Sequence, residues 1–158
     1  MRYGTPTLDM VEASELEYLM IQRFQGLTLT QFKRLAAQLG RKYKQRGAII
    51  GLVGPLGTGK TTFVKGLAQG LGISANVVSP TFILIGSYKG AHYTLYHIDP
   101  YRLQKLTQLK AYLQELLQQK YAVVAVEWAT KLKRLLPSDT IWIELRHRDQ
   151  NKRSIKLS

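Results

Sequence analysis

The chain has 158 residues, 45% apolar and 9% aromatic, which suits one domain with a packed core and excludes a disordered polymer. It has no cysteine, so disulfides, cysteine-ligated metals and thiol chemistry are excluded, and it has neither a membrane-length apolar run nor a secretion signal, so a soluble cytoplasmic protein is expected. Its 23 Lys and Arg against 10 Asp and Glu give +13, divided into −3 over residues 1–20 and +16 over the rest, a body that either attracts polyanions or is merely kept soluble by its charge.

Residues 1–27 have no clean period and end in Gln25-Gly26, so they read as an N-terminal extension before a domain at 28–158. Thr30 is placed to cap a helix with Phe32, Leu35, Ala36, Leu39 and Tyr43 on its apolar face, ending at Gly47. The Lys and Arg of 41–46 read as its solvated end, with RNA contact as the alternative. Ala48–Val53 is a short buried strand. A second helix follows a glycine-rich loop, with Phe63, Val64, Leu67, Ala68 and Leu71 on one face. Gly66 and Gly70 permit close packing there, and Gly72 stops the helix.

Beyond Ser79-Pro80-Thr81, Phe82–Tyr88 and Ala91–Ile98 read as two strands joined at Lys89-Gly90. Leu103, Leu106, Leu109, Leu113, Leu116 and Leu117 predict a helix, Ala122–Val126 a buried strand, and Leu132, Leu135 and Leu136 a short helix stopped by Pro137. Ile141–Leu145 and Ile155–Leu157 would close a hairpin around the basic turn 146–153. Tyr88, Tyr93, Tyr96, Tyr101 and Trp142 read as core or sheet surface rather than base-stacking platforms. His92 and His97 have only Asp99 as a nearby acid and predict no zinc site.

The most informative segment is Gly54-Pro55-Leu56-Gly57-Thr58-Gly59-Lys60-Thr61, which satisfies the G-x-x-x-x-G-K-[ST] phosphate-loop pattern between a strand and a helix. The glycines let backbone N–H groups turn inward as a nest for phosphate oxygens, and the helix N-terminus adds positive potential. Lys60 is expected to reach the β- and γ-phosphates, Thr61 to ligate Mg²⁺, and Thr62 to bond an outer phosphate. The expected fold is therefore α/β: a P-loop NTPase-like three-layer sandwich with a central, mostly parallel sheet plus β-hairpins.

Such a loop needs acids for metal and water. Of the acids, only Asp99 and Glu127 end apolar strands, where doubly wound folds place their ligand sites. Glu127 is the candidate metal-side acid and Asp99 the second acid, for water or metal. The alternatives are a salt bridge from Glu127 to a basic neighbour and an Asp99 cap on the turn Pro100-Tyr101-Arg102. A small-molecule kinase, or a basic nucleic-acid-binding protein with a vestigial ATP site, would also fit parts of this pattern.

Gly54–Thr62, Ser79-Pro80-Thr81-Phe82, His97-Ile98-Asp99-Pro100-Tyr101-Arg102-Leu103 and Val126-Glu127-Trp128 occur in an order and spacing that resembles the bacterial TsaE (YjeE) family, over roughly residues 30–157. The resemblance implies an ATPase subunit that binds ATP/ADP with Mg²⁺, hydrolyses ATP slowly, and works with TsaB-like and TsaD-like partners. Those partners transfer a threonylcarbamoyl group to adenosine 37 of tRNAs reading codons that start with A. It implies that Lys60, Thr61 and Thr62 hold phosphates and Mg²⁺, that Glu127 ligates the metal, that Asp99 is the second active-site acid and that Trp128 borders the site. Ser79 to Phe82, with Ser79 and Thr81 bordering the site, would be a switch-like segment. The chain departs from the family at Pro55, where an acid is usual, and at Gln104–Lys110, which offers Lys105 and Lys110 in place of acids. Contact with tRNA is expected to be indirect or weak.

Overall fold

The computed structural model describes residues 23–104, 107–149 and 151–158. In chain order these form β1 (Arg23–Leu27), α1 (Leu29–Tyr43), β2 (Ala48–Val53), α2 (Lys60–Leu71), β3 (Ile85–Lys89), β4 (Thr94–Ile98), α3 (Thr107–Leu117), β5 (Ala122–Val126), β6 (Ile141–Asp149) and β7 (Lys152–Leu157). The strands make one sheet in the order β1-β7-β6-β2-β5-β4-β3. Its four central strands, β6, β2, β5 and β4, are parallel, and the hairpins β6–β7 and β3–β4 add antiparallel flanks. This is the expected α/β sandwich.

Strand β5, Ala-Val-Val-Ala-Val, is buried at every position, as a parallel strand covered on both faces requires. Its alternate residues feed two cores. Val123 joins Phe32, Leu35, Leu52, Phe63 and Leu67 beneath α1 and α2. Val124 and Val126 face the opposite way, onto Leu109 and Leu113 of α3 and Leu132 of a 3₁₀ turn at Ala129–Leu132. Helices α1 and α2 lie so close that a Cβ on Gly70 would fall 2.0 Å from the Ala37 carbonyl oxygen, and one on Gly66 2.6 Å from the Ala36 Cβ.

Several boundaries differ from expectation. The α1 cap is Thr28, not Thr30: Thr28 Oγ1 accepts from Gln31 N at 3.3 Å while Thr28 N donates to Gln31 Oε1 at 3.0 Å, a reciprocal capping box. Arg23–Leu27, read as the end of an extension, are the edge strand β1, pinned by Phe24 and Leu27 in the α1–α2 core. The rest of that extension, residues 1–22, lies outside the described residues. Strand β3 begins only at Ile85, leaving Phe82 and Ile83 exposed, because the backbone turns at Pro80, whose carbonyl accepts from Ile83 N and Leu84 N. Helix α3 starts at Thr107, after Leu103, and Leu106 falls outside the described residues. The basic run 146–153 lies mostly on strands, since β6 and β7 extend almost to the hairpin tip. No helix among the described residues is long and apolar enough to cross a membrane.

Candidate functional site

Strands β2, β5 and β4 are parallel neighbours, so their carboxyl ends open on one edge of the sheet, and the glycine-rich loop, Glu127 and Asp99 follow them there. Gly57 (φ 78°) and Gly59 (φ 99°) adopt backbone conformations that side chains disfavour, which lets the loop fold back onto the start of α2. The Pro55 carbonyl ties the loop together: it accepts from Thr58 Oγ1 at 2.9 Å and from Lys60 Nζ at 2.8 Å. Lys60 Nζ also donates to the Gly54 carbonyl at 2.8 Å and lies 3.7 Å from the Trp128 ring centroid. Pro55, which has no N–H, thus serves the loop through its oxygen.

Lys60 is only 4% exposed. Burial lowers its pKa below the ordinary lysine value, and Glu127 and Asp99 oppose that shift by favouring the ammonium. Trp128 takes a left-handed backbone conformation (φ 50°) immediately after Glu127, and its ring packs against that of Tyr101 with centroids 5.0 Å apart and planes tilted by 39°.

Glu127 leaves β5 with its N–H donated to the Ile98 carbonyl of β4 at 2.8 Å. Its Oε1 accepts two bonds, from Thr61 Oγ1 at 2.7 Å and from His97 Nε2 at 2.8 Å. His97 is fully buried; it meets Glu127 through Nε2, and its Nδ1 makes no hydrogen bond. Asp99 is similarly engaged. Its Oδ2 accepts from Thr81 Oγ1 at 2.7 Å and Ser79 Oγ at 3.3 Å, and its Oδ1 accepts from Tyr101 N at 2.9 Å. Asp99 thus caps the turn with one oxygen and holds the Ser79–Thr81 segment with the other. The only acid–base pair formed by Glu127 among the described residues is with His97, not with a lysine or arginine.

These groups line a cleft of about 380 Å³. The structure brings together there Leu56, Gly57, Gly59, Lys60, Thr61, Thr62, Ser79, Thr81, Asp99, Glu127 and Trp128 of the residues singled out in the sequence. Gly54 and Pro55 face a neighbouring cavity, and Thr58 is buried as the loop's internal brace. Sequence reasoning missed His97, Tyr101 and Arg153. His97 was findable: it precedes Asp99 by two on a strand, so period-2 alternation puts both on one side. Register then sets His97 beside Ala125, two residues before Glu127.

The Thr61 hydroxyl and the Glu127 carboxylate are hard oxygen donors of the kind Mg²⁺ favours. Among the described residues no group of three or more His, Asp or Glu side chains could hold a metal alone. The pair therefore fits a cation that draws its other ligands from phosphate oxygens and water, as Mg²⁺ commonly does.

A sequence profile described as "Threonylcarbamoyl adenosine biosynthesis protein TsaE" matches residues 28–155. The chain is 37% identical over 125 residues to the tRNA threonylcarbamoyladenosine biosynthesis protein TsaE of Bacillus subtilis, covering 77% of this chain and 76% of that protein. It is 39% identical over 114 residues to the protein of the same name from Treponema pallidum, covering 72% and 84%. Among solved structures it is similar to Bacillus subtilis YdiB, with a TM-score of 0.68 and 30% identity over 87% of this chain and 86% of the other.

Proposed function

The chain belongs to the TsaE family, and from that premise we propose that it binds ATP in the cleft between the glycine-rich loop and the acids Asp99 and Glu127 and hydrolyses it slowly. The hydrolysis serves tRNA threonylcarbamoyladenosine biosynthesis, supporting threonylcarbamoyl transfer to adenosine 37 of tRNAs reading codons that start with A. TsaB-like and TsaD-like subunits are its partners in this reading, and its own contact with tRNA is weak or indirect.

The observation that carries the reading is the convergence of Lys60, Thr61, Glu127 and Asp99 on one edge of the sheet. Backbone N–H groups of the loop and the α2 N-terminus bind the phosphates. Lys60, positioned by the Gly54 and Pro55 carbonyls, places its ammonium against them in a half-enclosed site where charge is weakly screened. Thr61 and Glu127 would hold Mg²⁺, whose charge offsets that of the β- and γ-phosphates. His97 fixes the Glu127 carboxylate from behind. Asp99 orients the attacking water once an oxygen is released by Thr81 or Ser79.

The fate of the ATP γ-phosphate, followed by thin-layer chromatography with and without TsaB-like and TsaD-like subunits, tests the reading. Release as inorganic phosphate supports it. Transfer to a metabolite would indicate the small-molecule kinase, and no turnover in either setting would indicate a binding protein with a vestigial site.

A further inference from the structure

Arg153 lines the nucleotide cleft, yet it belongs to β7, far along the chain from the loop it faces. Its cross-strand partner on β6 is His147, and both side chains overhang the glycine-rich loop. A Cβ on Gly59 would come 3.3 Å from Arg153 Nε, and one on Gly57 3.7 Å from His147 Nε2. A side chain at Gly59 would crowd Arg153, whereas one at Gly57 would meet His147 at ordinary contact distance. The Arg153 guanidinium lies 5.7 Å from the Phe32 ring centroid, and its Nε is buried without a hydrogen bond. No ion pair engages it among the described residues.

A buried guanidinium N–H without an acceptor is costly, and residues in that position generally have an acceptor to meet. Strand order indicates which one. Counting from β2, which delivers the loop, β4 with Asp99 lies two strands to one side and β7 with Arg153 two strands to the other. Glu127 follows β5, on the Asp99 side. A nucleotide whose terminal phosphate meets the acids therefore extends its nucleoside end toward Arg153.

We infer that Arg153 anchors the α-phosphate of a bound nucleoside di- or triphosphate, on the flank of the loop opposite the catalytic acids. The inference rests on the nucleotide reading of the cleft given above. A charge-assisted bond from guanidinium to phosphate suits the planar N–H geometry of arginine and would satisfy the orphaned donor. Because the α-phosphate is common to ADP and ATP, the contact contributes equally to both and is unchanged as the γ-phosphate leaves.

Calorimetry of ADP and of ATP–Mg²⁺ on the full chain, as wild type, Arg153→Gln and Arg153→Ala, tests this, with the urea midpoint of each variant recorded. The expected result is a loss of affinity of about 10- to 100-fold, the size of a charge-assisted hydrogen bond, and equal for the two nucleotides. In turnover assays the loss should appear in KM, with kcat within about twofold. Unchanged affinities in both folded variants would overturn the inference. A fall in kcat with ADP affinity intact would also overturn it, by placing Arg153 at the transferred phosphate. Wild-type protein that binds neither nucleotide would instead overturn the functional reading beneath it.

Discussion

Thr61 Oγ1 donates to Glu127 Oε1 across 2.7 Å, although 66 residues separate the two in the chain. One belongs to the first turn of α2 and the other to the exit of β5, and the parallel pairing of β2 with β5 is what brings them together. The hydroxyl lone pairs and the second carboxylate oxygen remain available as hard donors. Removing Glu127 should therefore hurt metal-dependent binding more than removing Asp99, which grips Ser79 and Thr81 instead. Calorimetry of ATP with and without Mg²⁺ should show the Mg²⁺ effect lost in Glu127→Ala. In Asp99→Ala the effect should persist while turnover slows. Equal Mg²⁺ dependence in wild type and Glu127→Ala would contradict the assignment.

Lys60→Ala and Thr61→Ala should each lower hydrolysis by about 10²–10³, the usual cost of one contact to charge developing in the transition state. Neither should unfold the chain, since among the described residues the Lys60 ammonium hydrogen-bonds loop carbonyls and packs on Trp128, and the Thr61 hydroxyl bonds Glu127. Circular dichroism and a phosphate-release assay on the same preparations separate the two effects. Wild-type turnover in Lys60→Ala would remove this loop from the reaction.

Burial lowers the Lys60 pKa below its ordinary 10.5. Between the lowered value and 10.5 the unfolded chain binds more protons than the folded one, so stability should rise with pH through that window. Below the lowered value both states are protonated, and the cost of the buried charge is constant. Urea midpoints measured in parallel on wild type and Lys60→Met should show the rising limb only in the wild type. The comparison matters because Tyr43, whose pKa is raised by burial, contributes an opposite limb to both proteins.

Gly70→Ala tests the helix contact. Alanine would gain about 1 kcal/mol of helix propensity, yet its Cβ would stand 2.0 Å from a carbonyl oxygen of α1, and backbone cannot rotate away as a side-chain tip can. The steric term should win, with a net loss of about 1–3 kcal/mol on the scale of overpacked cores, read from the urea midpoint. A neutral or stabilising result would mean that the two helices separate freely.

The strand face built by β1, β7 and β6 gathers Arg23, Lys156, Arg146 and Arg148 around a groove of about 330 Å³, with Glu144 bonded to Arg146. Residues that look dispersed along the chain are neighbours here, because Arg23 pairs in register with Lys156 and Lys156 with Glu144. Among the described residues no array of stacking aromatics lines this groove. Filter binding of tRNA to the isolated chain should therefore be weak and should fall steeply with salt, with a log–log slope of roughly −3 for about four phosphate contacts. Tight, sequence-selective, salt-insensitive binding would favour the nucleic-acid-binding alternative.

Much of this arrangement was legible in the sequence. Strand β2, the loop, α2 and β5 carry uninterrupted local signals, and the two strand-ending acids could be found by elimination because acids are so few. What escaped was non-local. Thr30 lost the cap to Thr28 because only Thr28 has a glutamine three residues on to return the bond. Strand β1 was invisible because five residues with a glycine at the fourth position form a strand only when β7 offers an edge. His97 and Arg153 look like ordinary strand residues until register places one behind Glu127 and the other over Gly59.

The walls of the cleft come from chain stretches as distant as Leu56 and Arg153, so no fragment of the unfolded chain presents the site. Any ligand that fills it couples to the folded state alone. By mass action, a nucleotide at a hundred times its dissociation constant adds about 2.7 kcal/mol to the stability of the fold. Cellular nucleotide supply would then set how long each copy survives proteolysis, independently of any turnover.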